Sequence, residues 1–299
     1  MTLFSRIVII GVGLMGGSVG LAAKKKEVAG CIVGVDRDET HLTAARDRGI
    51  IDIGTTDFEE GVCRLGGTQS RVAELIVVAT PVGLVAEYVQ RAAEAIRSVA
   101  PPRGFPPRNV LITDVGSTKS AVCSQLCSRK DFGGSRFIGS HPIAGSERSG
   151  PQHASEVLFE NRLTVISPSA AARDVDIGLL VQFWQRLGSS VICTTPEEHD
   201  SILARTSHLP HLLSAILAGG LRSQDIRYTG TGFRSTTRLA AGLPAVWRDI
   251  VSSNSGAILE AVRDYEHRLR DLREIIERKD WDGLTAFLED AKQNRDALG

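Results

Sequence analysis

The chain lacks most of the features that mark a specialised protein class. It carries no net charge, with 35 Lys and Arg set against 35 Asp and Glu, so no global field recruits nucleic acid or an anionic membrane. It has no long unbroken apolar run. The one candidate, residues 7–23, is interrupted by Gly11, Gly13, Gly16, Gly17 and Gly20, which excludes a membrane span. Cysteine is sparse and scattered: Cys31, Cys63, Cys123, Cys127 and Cys193. Only Cys123 and Cys127 are close, at a spacing that suits one helix face rather than a metal knuckle. Such a set fits a reducing compartment rather than a disulfide framework. The N-terminus, Met-Thr-Leu-Phe-Ser-Arg, leads straight into an apolar run without the pattern of a secretion signal, so a cytoplasmic location is expected. No repeat or low-complexity tract interrupts the chain.

What is present is a rhythm of short apolar runs. With 299 residues, 42% of them hydrophobic, the chain can fill one large core or two ordinary ones. Runs at 6–10, 31–35, 75–79 and 110–113 are brief and rich in β-branched residues, as buried parallel strands are, and helix-like stretches separate them. Further runs at 136–139 and 163–166 suggest two more strands. This alternation predicts an α/β fold, a doubly wound and mostly parallel sheet. Segments 66–70 and 101–107, rich in Gly or Pro, read as surface insertions. Beyond Pro168 the strand-like runs fade, apart from 190–193, and helical periodicity takes over at 174–187, 198–223 and 244–296. A boundary is expected near residue 170, giving a nucleotide-binding domain over 1–170 and an all-α domain over 171–299.

The first strand runs into Gly11-Val12-Gly13-Leu14-Met15-Gly16 and then a helix. Glycines there permit a tight turn and a close approach to pyrophosphate, while the helix N-terminus supplies amides to the anion. Asp36 lies twenty residues past Gly16, at the end of the second strand, where a carboxylate accepts both ribose hydroxyls of NAD and repels the 2′-phosphate of NADP. Strand, spacing, helix and acid agree, so the group reads as a dinucleotide site with NAD as cofactor. Arg37 leaves NADP as the alternative, since an adjacent Arg can hold a phosphate.

In such folds ligands bind at the carboxyl ends of the strands. Three polar segments fall there: Thr80-Pro81, Asp114 to Lys119 including Ser117, and Gly139 to Glu147 including His141. His141 has the residue type for proton transfer near neutrality, against the plainer reading of a loop histidine capping a backbone group. In the helical part, His208 and His211 of Ser-His-Leu-Pro-His fall on one side of a helix. They form a substrate wall or packing pair rather than a metal site, since no third ligand is nearby. Arg234 and Arg238, in Gly-Thr-Gly-Phe-Arg-Ser-Thr-Thr-Arg, have the planar fork that grips carboxylates; the plainer reading is a surface loop with solvated arginines.

Together the glycine group at 11–16, Gly-Ser-Thr-Lys at 116–119, His-Pro-Ile-Ala-Gly-Ser-Glu at 141–147, Glu-His-Asp at 198–200, Ser-His-Leu-Pro-His at 207–211, Gly-Phe-Arg-Ser-Thr-Thr-Arg at 232–238 and Trp-Arg-Asp at 247–249 resemble the prephenate dehydrogenases, in order and over nearly the whole chain. The resemblance implies a Rossmann domain followed by a helical dimerisation domain. It implies a homodimer that oxidatively decarboxylates prephenate with NAD on the route to tyrosine, or arogenate in its place. By the same resemblance His141 takes the proton of the substrate C4 hydroxyl, Ser117 positions that hydroxyl, and Arg238 binds a carboxylate. His211 lies near the pyruvyl chain, Glu147 belongs to a polar gate, and Trp247 reaches the partner's site. His208 and Lys119 are placed with the substrate-binding residues, and Leu14, Met15, Thr80 and Pro81 with the cofactor. Neither a fused mutase domain nor a regulatory domain is expected.

Two other readings compete. Rossmann-plus-helical β-hydroxyacid dehydrogenases use a lysine of the helical part as catalytic group, and residues 200–278 contain no lysine. A non-catalytic NAD-binding sensor would have no need of the Ser117, His141 and Arg238 set.

Overall fold

A computed structural model describes residues 2–63, 74–98, 110–127, 135–146, 148–170 and 172–298. The insertions expected at 66–70 and 101–107, and Glu147, lie outside them. Strands β1 (Phe4–Ile10), β2 (Ala29–Val35), β3 (Ile53–Thr55), β4 (Leu75–Val78), β5 (Val110–Asp114) and β6 (Ser135–Phe137) form a parallel sheet in the order β3-β2-β1-β4-β5-β6. The reversal of direction beside β1 creates the crevice in which doubly wound folds bind ligands.

The apolar runs are continuous because both faces of the sheet are covered. Alternate residues point to opposite faces. Ile7 and Ile9 join a core with Val19 and Ala22 of α1 (Leu14–Lys25), Leu42 of α2 (Glu39–Asp47), and Phe183 and Trp184 of α6 (Asp174–Arg186). Val8 and Ile10 join the opposite core, with Val62 of α3 (Phe58–Cys63), Val85 and Val89 of α4 (Val82–Ser98), and Val122 of α5 (Ser120–Cys127). β3 was not anticipated from the sequence. It is three residues long and half-buried, too short for periodicity to register.

The run at 136–139, expected as one strand, is two. β6 ends at Phe137, and β7 (Gly139–Pro142) enters a second sheet, antiparallel to β8 (Leu163–Ser167), which pairs in parallel with β9 (Ser190–Cys193). Side chains at the end of β5 force the change of sheet. Thr113 Oγ1 donates to the Ile138 carbonyl at 2.8 Å, and Asp114 Oδ1 accepts from Ser140 N at 3.1 Å. These bonds replace a continued ladder, and they deliver His141 just past the sheet edge.

Residue 170 falls in the turn between β8 and α6. The uninterrupted helical part starts with α7 (Pro196–Leu203). It passes through a π-turn at Ala204–His208 into α8 (Leu209–Gly219) and continues with α9 (Thr231–Thr237), α10 (Pro244–Ser253), α11 (Ser255–Glu277) and α12 (Trp281–Asp296). Pro210 accounts for the π-turn: it has no N–H to offer the preceding turn, and Leu209 N bonds back to Ala204 O, five residues away. α9 replaces the plain loop considered for the Gly-Phe-Arg segment. No helix among the described residues is long and apolar enough to cross a membrane.

The glycine turn is locked by sterics. Gly11 has φ +91°, and a Cβ there would lie 2.7 Å from Ala79 O. A Cβ on Gly16 would lie 2.0 Å from Gly11 O and 2.9 Å from Ile9 Cγ2, and backbone on one side leaves no room to relax. Gly16→Ala is expected to destabilise the fold by about 1–3 kcal/mol through overpacking, measured by denaturant unfolding. An unchanged midpoint would mean that the turn is looser than described.

Candidate active site

A cavity of about 1150 Å³ opens between the carboxyl edge of the first sheet and the helical part. Gly13, Leu14, Met15, Thr80, Pro81, Ser117, His141, His208, His211, Arg238 and Trp247 all line it. Eleven sites chosen along the chain are thus brought to one space.

At the nucleotide end, a Cβ on Gly13 would meet nothing within 4 Å, so the loop leaves room for a ligand at the start of α1, which carries no side-chain cap. Those uncapped amides and the positive helix end fit a pyrophosphate. Thr80 Oγ1 is buried without a hydrogen-bond partner among the described residues and is free to meet a cofactor. Asp36 accepts from Val12 N at 2.9 Å and Asp38 N at 3.0 Å, which fixes its carboxylate behind the glycine loop. His41, not anticipated, stands 3.6 Å from that carboxylate and lines the cavity. Arg37 is exposed and does not line it. The donor set suits a dinucleotide with free ribose hydroxyls.

At the reactive end a line of buried groups crosses from the helical part. Asp200, in α7, accepts through Oδ1 from Lys119 N and through Oδ2 from Ser120 N, both at 2.8 Å, so it caps the start of α5. The same Oδ1 meets His199 Nδ1 at 2.7 Å, and His199 Nε2 meets His141 Nδ1 at 2.9 Å. Burial raises the Asp200 carboxyl, but bonds from His199 and from the two amides outweigh it and hold the group below its usual range. An ionised Asp200 can only accept, so His199 carries its proton on Nδ1. In that tautomer His199 Nε2 accepts, which places the His141 proton on Nδ1 and leaves His141 Nε2 with a lone pair. Burial, followed by the charges of His199, Lys119 and His208, holds His141 well below the ordinary histidine value, so the ring stays neutral. His199 and Asp200 were read as part of a motif but not as site residues. Their signal was adjacency: the Thr195 cap and Pro196 start a helix that aims 199 and 200 inward.

Lys119 is a correction. It is fully buried with its ammonium on Asp114 Oδ2 at 2.5 Å, and it does not line the cavity. A charge this deep needs its partner; it braces the loop bearing Ser117 from beneath and does not face a substrate. Trp247 lines the cavity and stacks on His211 of its own chain, ring centroids 3.5 Å apart and planes at 24°. Burial lowers His211, as does Arg238 nearby, against a bond involving the Ser207 backbone. Arg238 forms no ion pair among the described residues. No cluster of three metal-binding side chains occurs among them either.

Comparison with known proteins gives a consistent set of likenesses. Residues 19–193 match the prephenate dehydrogenase nucleotide-binding domain and residues 195–290 the prephenate dehydrogenase dimerisation domain. The chain is 32% identical over 302 residues to a prephenate dehydrogenase of Bacillus subtilis, covering 98% of this chain and 76% of that protein. It is 30% identical over 305 residues to a cyclohexadienyl dehydrogenase of Zymomonas mobilis, covering 100% and 97%. Among solved structures, prephenate dehydrogenase from Aquifex aeolicus in complex with hydroxyphenyl propionate and NAD+ superposes with TM-score 0.83 at 27% identity, covering 100% and 99%. The arogenate dehydrogenase of Synechocystis gives 0.79 at 25%, covering 98% and 100%.

Burial, opposed by Asp200 and aided by His199 and His211, lowers His208 to about 4. The unfolded chain binds a proton at this residue below about pH 6.5, and the native state does not until about 4. Its contribution to stability is therefore complete above pH 6.5 and is lost as the pH falls to 4, about 3 kcal/mol over that window, with His141 acting in the same direction. Urea unfolding from pH 7.5 to 4 is expected to report this loss, and His208→Gln to shallow it. A flat profile would contradict the buried neutral histidines.

Proposed function

The chain belongs to the prephenate dehydrogenase family, and on that premise we propose that its cavity oxidises prephenate with NAD and releases carboxylate as CO2. It is an NAD-binding dehydrogenase with a Rossmann fold followed by a helical part. The observation that carries the reading is the line Asp200–His199–His141, which ends at the wall of the cavity that Gly13 and Leu14 also line.

Bound NAD supplies the hydride acceptor for C4. His141 Nε2 takes the C4 hydroxyl proton as the C4–H bond gives up its hydride, and a carbonyl forms at C4. The positive charge that develops on His141 passes toward His199 and is met by Asp200. The bond from C1 to its carboxylate then breaks. Its electrons enter the ring and reach the C4 oxygen, which recovers a proton as a phenol. Aromatisation drives the step, so the protein supplies orientation, a base and a cation. Ser117, at the cavity wall, orients the hydroxyl. Arg238, without an ion-pair partner among the described residues, takes a substrate carboxylate, and His211, held flat against Trp247, borders the side chain. The alternative substrate is arogenate, which differs in carrying an amine for the keto group. The assignment of residues 1–170 to cofactor and of 171–299 to substrate and pairing belongs to the same reading. So does a homodimer, supported by the exposed Leu259, Leu269 and Ile276 of α11, and a cytoplasmic location.

NADH absorbance with prephenate, and separately with arogenate, is the decisive assay. His141→Asn keeps a hydrogen-bonding group but no base, and is expected to lower kcat by about 10²–10⁴-fold with NAD binding intact. The acid limb of kcat/KM in the wild type should lie well below pH 6.5, because His141 resists protonation. A variant retaining a tenth of wild-type kcat, with chemistry shown to be rate-limiting by a C4 deuterium effect, would remove His141 as base. Arg238→Ala is expected to raise KM for prephenate by about 10–100-fold and to leave NAD affinity unchanged. An unchanged KM would take Arg238 out of the site.

A further inference from the structure

Asn254 opens α11, at the position where an Asn side chain ordinarily accepts from the amides of its own helix. Here it makes no such bond. Its Nδ2 instead approaches the Asp200 carbonyl at 2.8 Å and His208 Nδ1 at 3.2 Å. A backbone carbonyl only accepts, so the group beside it is the amide NH2, whose second hydrogen is directed at His208. His208 Nδ1 therefore accepts, and the ring's proton sits on Nε2. That Nε2 is buried, has no hydrogen-bond partner among the described residues, and belongs to a residue lining the cavity.

We propose that Asn254 is a positioning residue: it fixes His208 as the Nε2–H tautomer, so that a neutral donor is presented in the cavity to an acceptor oxygen of the substrate. The inference rests on the reading of the cavity as a prephenate site. An unpartnered buried N–H is costly, and a ligand oxygen satisfies it. The titratable groups facing His208 are Asp200 and His199 on α7, His211 on α8, and His141 across the cavity; Trp247 of α10 covers it edge-on, ring centroids 6.3 Å apart.

Two measurements test this. In 15N-histidine spectra of the intact protein, with His208 signals identified by their loss in His208→Gln, Nδ1 should be unprotonated and Nε2 protonated from pH 8 to 6. An Nδ1–H tautomer overturns the inference. The second is the pH profile of Asn254→Asp. Its carboxylate would draw the His208 proton to Nδ1, so kcat/KM for prephenate should fall about 10–100-fold at pH 8 and recover on acidification, when both nitrogens carry protons. His141 alone gives the opposite trend. An Asn254→Asp profile parallel to the wild type means a merely structural role and overturns the inference. His208→Gln, which keeps a donor near Nε2, should retain activity that His208→Leu loses; equal losses overturn it too. Should neither prephenate nor arogenate be oxidised, the functional reading fails, while the tautomer result still decides the role of Asn254.

Discussion

The carboxylate of Asp200 is the point on which the arrangement turns. It leaves the helical part and receives two backbone amides at the start of α5, in the nucleotide-binding part. Its Oδ1 also keeps His199 in one tautomer, and through it His141. The seating of the two parts and the protonation of the base are therefore one physical event. Losing that carboxylate would leave the buried Lys119 amide and the part-buried Ser120 amide without it, a cost of about 1–3 kcal/mol for the buried one. Ser120 Oγ to the Pro196 carbonyl and Thr118 Oγ1 to Ser253 Oγ add weaker ties across the same seam.

A second carboxylate, Asp114, performs the matching task on the sheet side. It receives Gly116 N, Ser140 N and the Lys119 ammonium, so the loop with Ser117 and the strand with His141 hang from one buried side chain. Ser140 Oγ adds bonds with the Asp114 carbonyl, Thr113 and Trp184. The residue expected to meet substrate, Lys119, is consumed by this brace. A cation with no exposure cannot be shared with a ligand without exposing Asp114.

Strand alternation and the glycine turn were legible in the sequence because each is local. A four-residue apolar run covered on both faces must be a strand, and Gly11, Gly13 and Gly16 sit where sterics demand them. The break at Ile138 was not legible: its cause lies in Thr113 and Asp114, on another strand. Likewise His141 announces itself by residue type and place, but its lone pair depends on His199, 58 residues away. The family resemblance carried Lys119 into the site by motif, and motif does not say which way a side chain faces. Asn254 carries no signal in the sequence beyond that of an ordinary cap.

The π-turn at Ala204–His208 gives the long bridging helix a wide turn of one extra residue. A single extra residue offsets everything after it by about 100° around the axis. The rod is thus phased twice. Before the bulge its inward face carries His199 and Asp200 to the dinucleotide part; after it, the inward face carries His211 and the seat for Ser214, which joins Thr236 and Ala240 beside Arg238. Length and angle along this rod are separate variables. Deleting one residue from the bulge would shorten the bridge by little yet turn one set of histidines away from the other, so the segment tolerates substitution more readily than it tolerates a change in length.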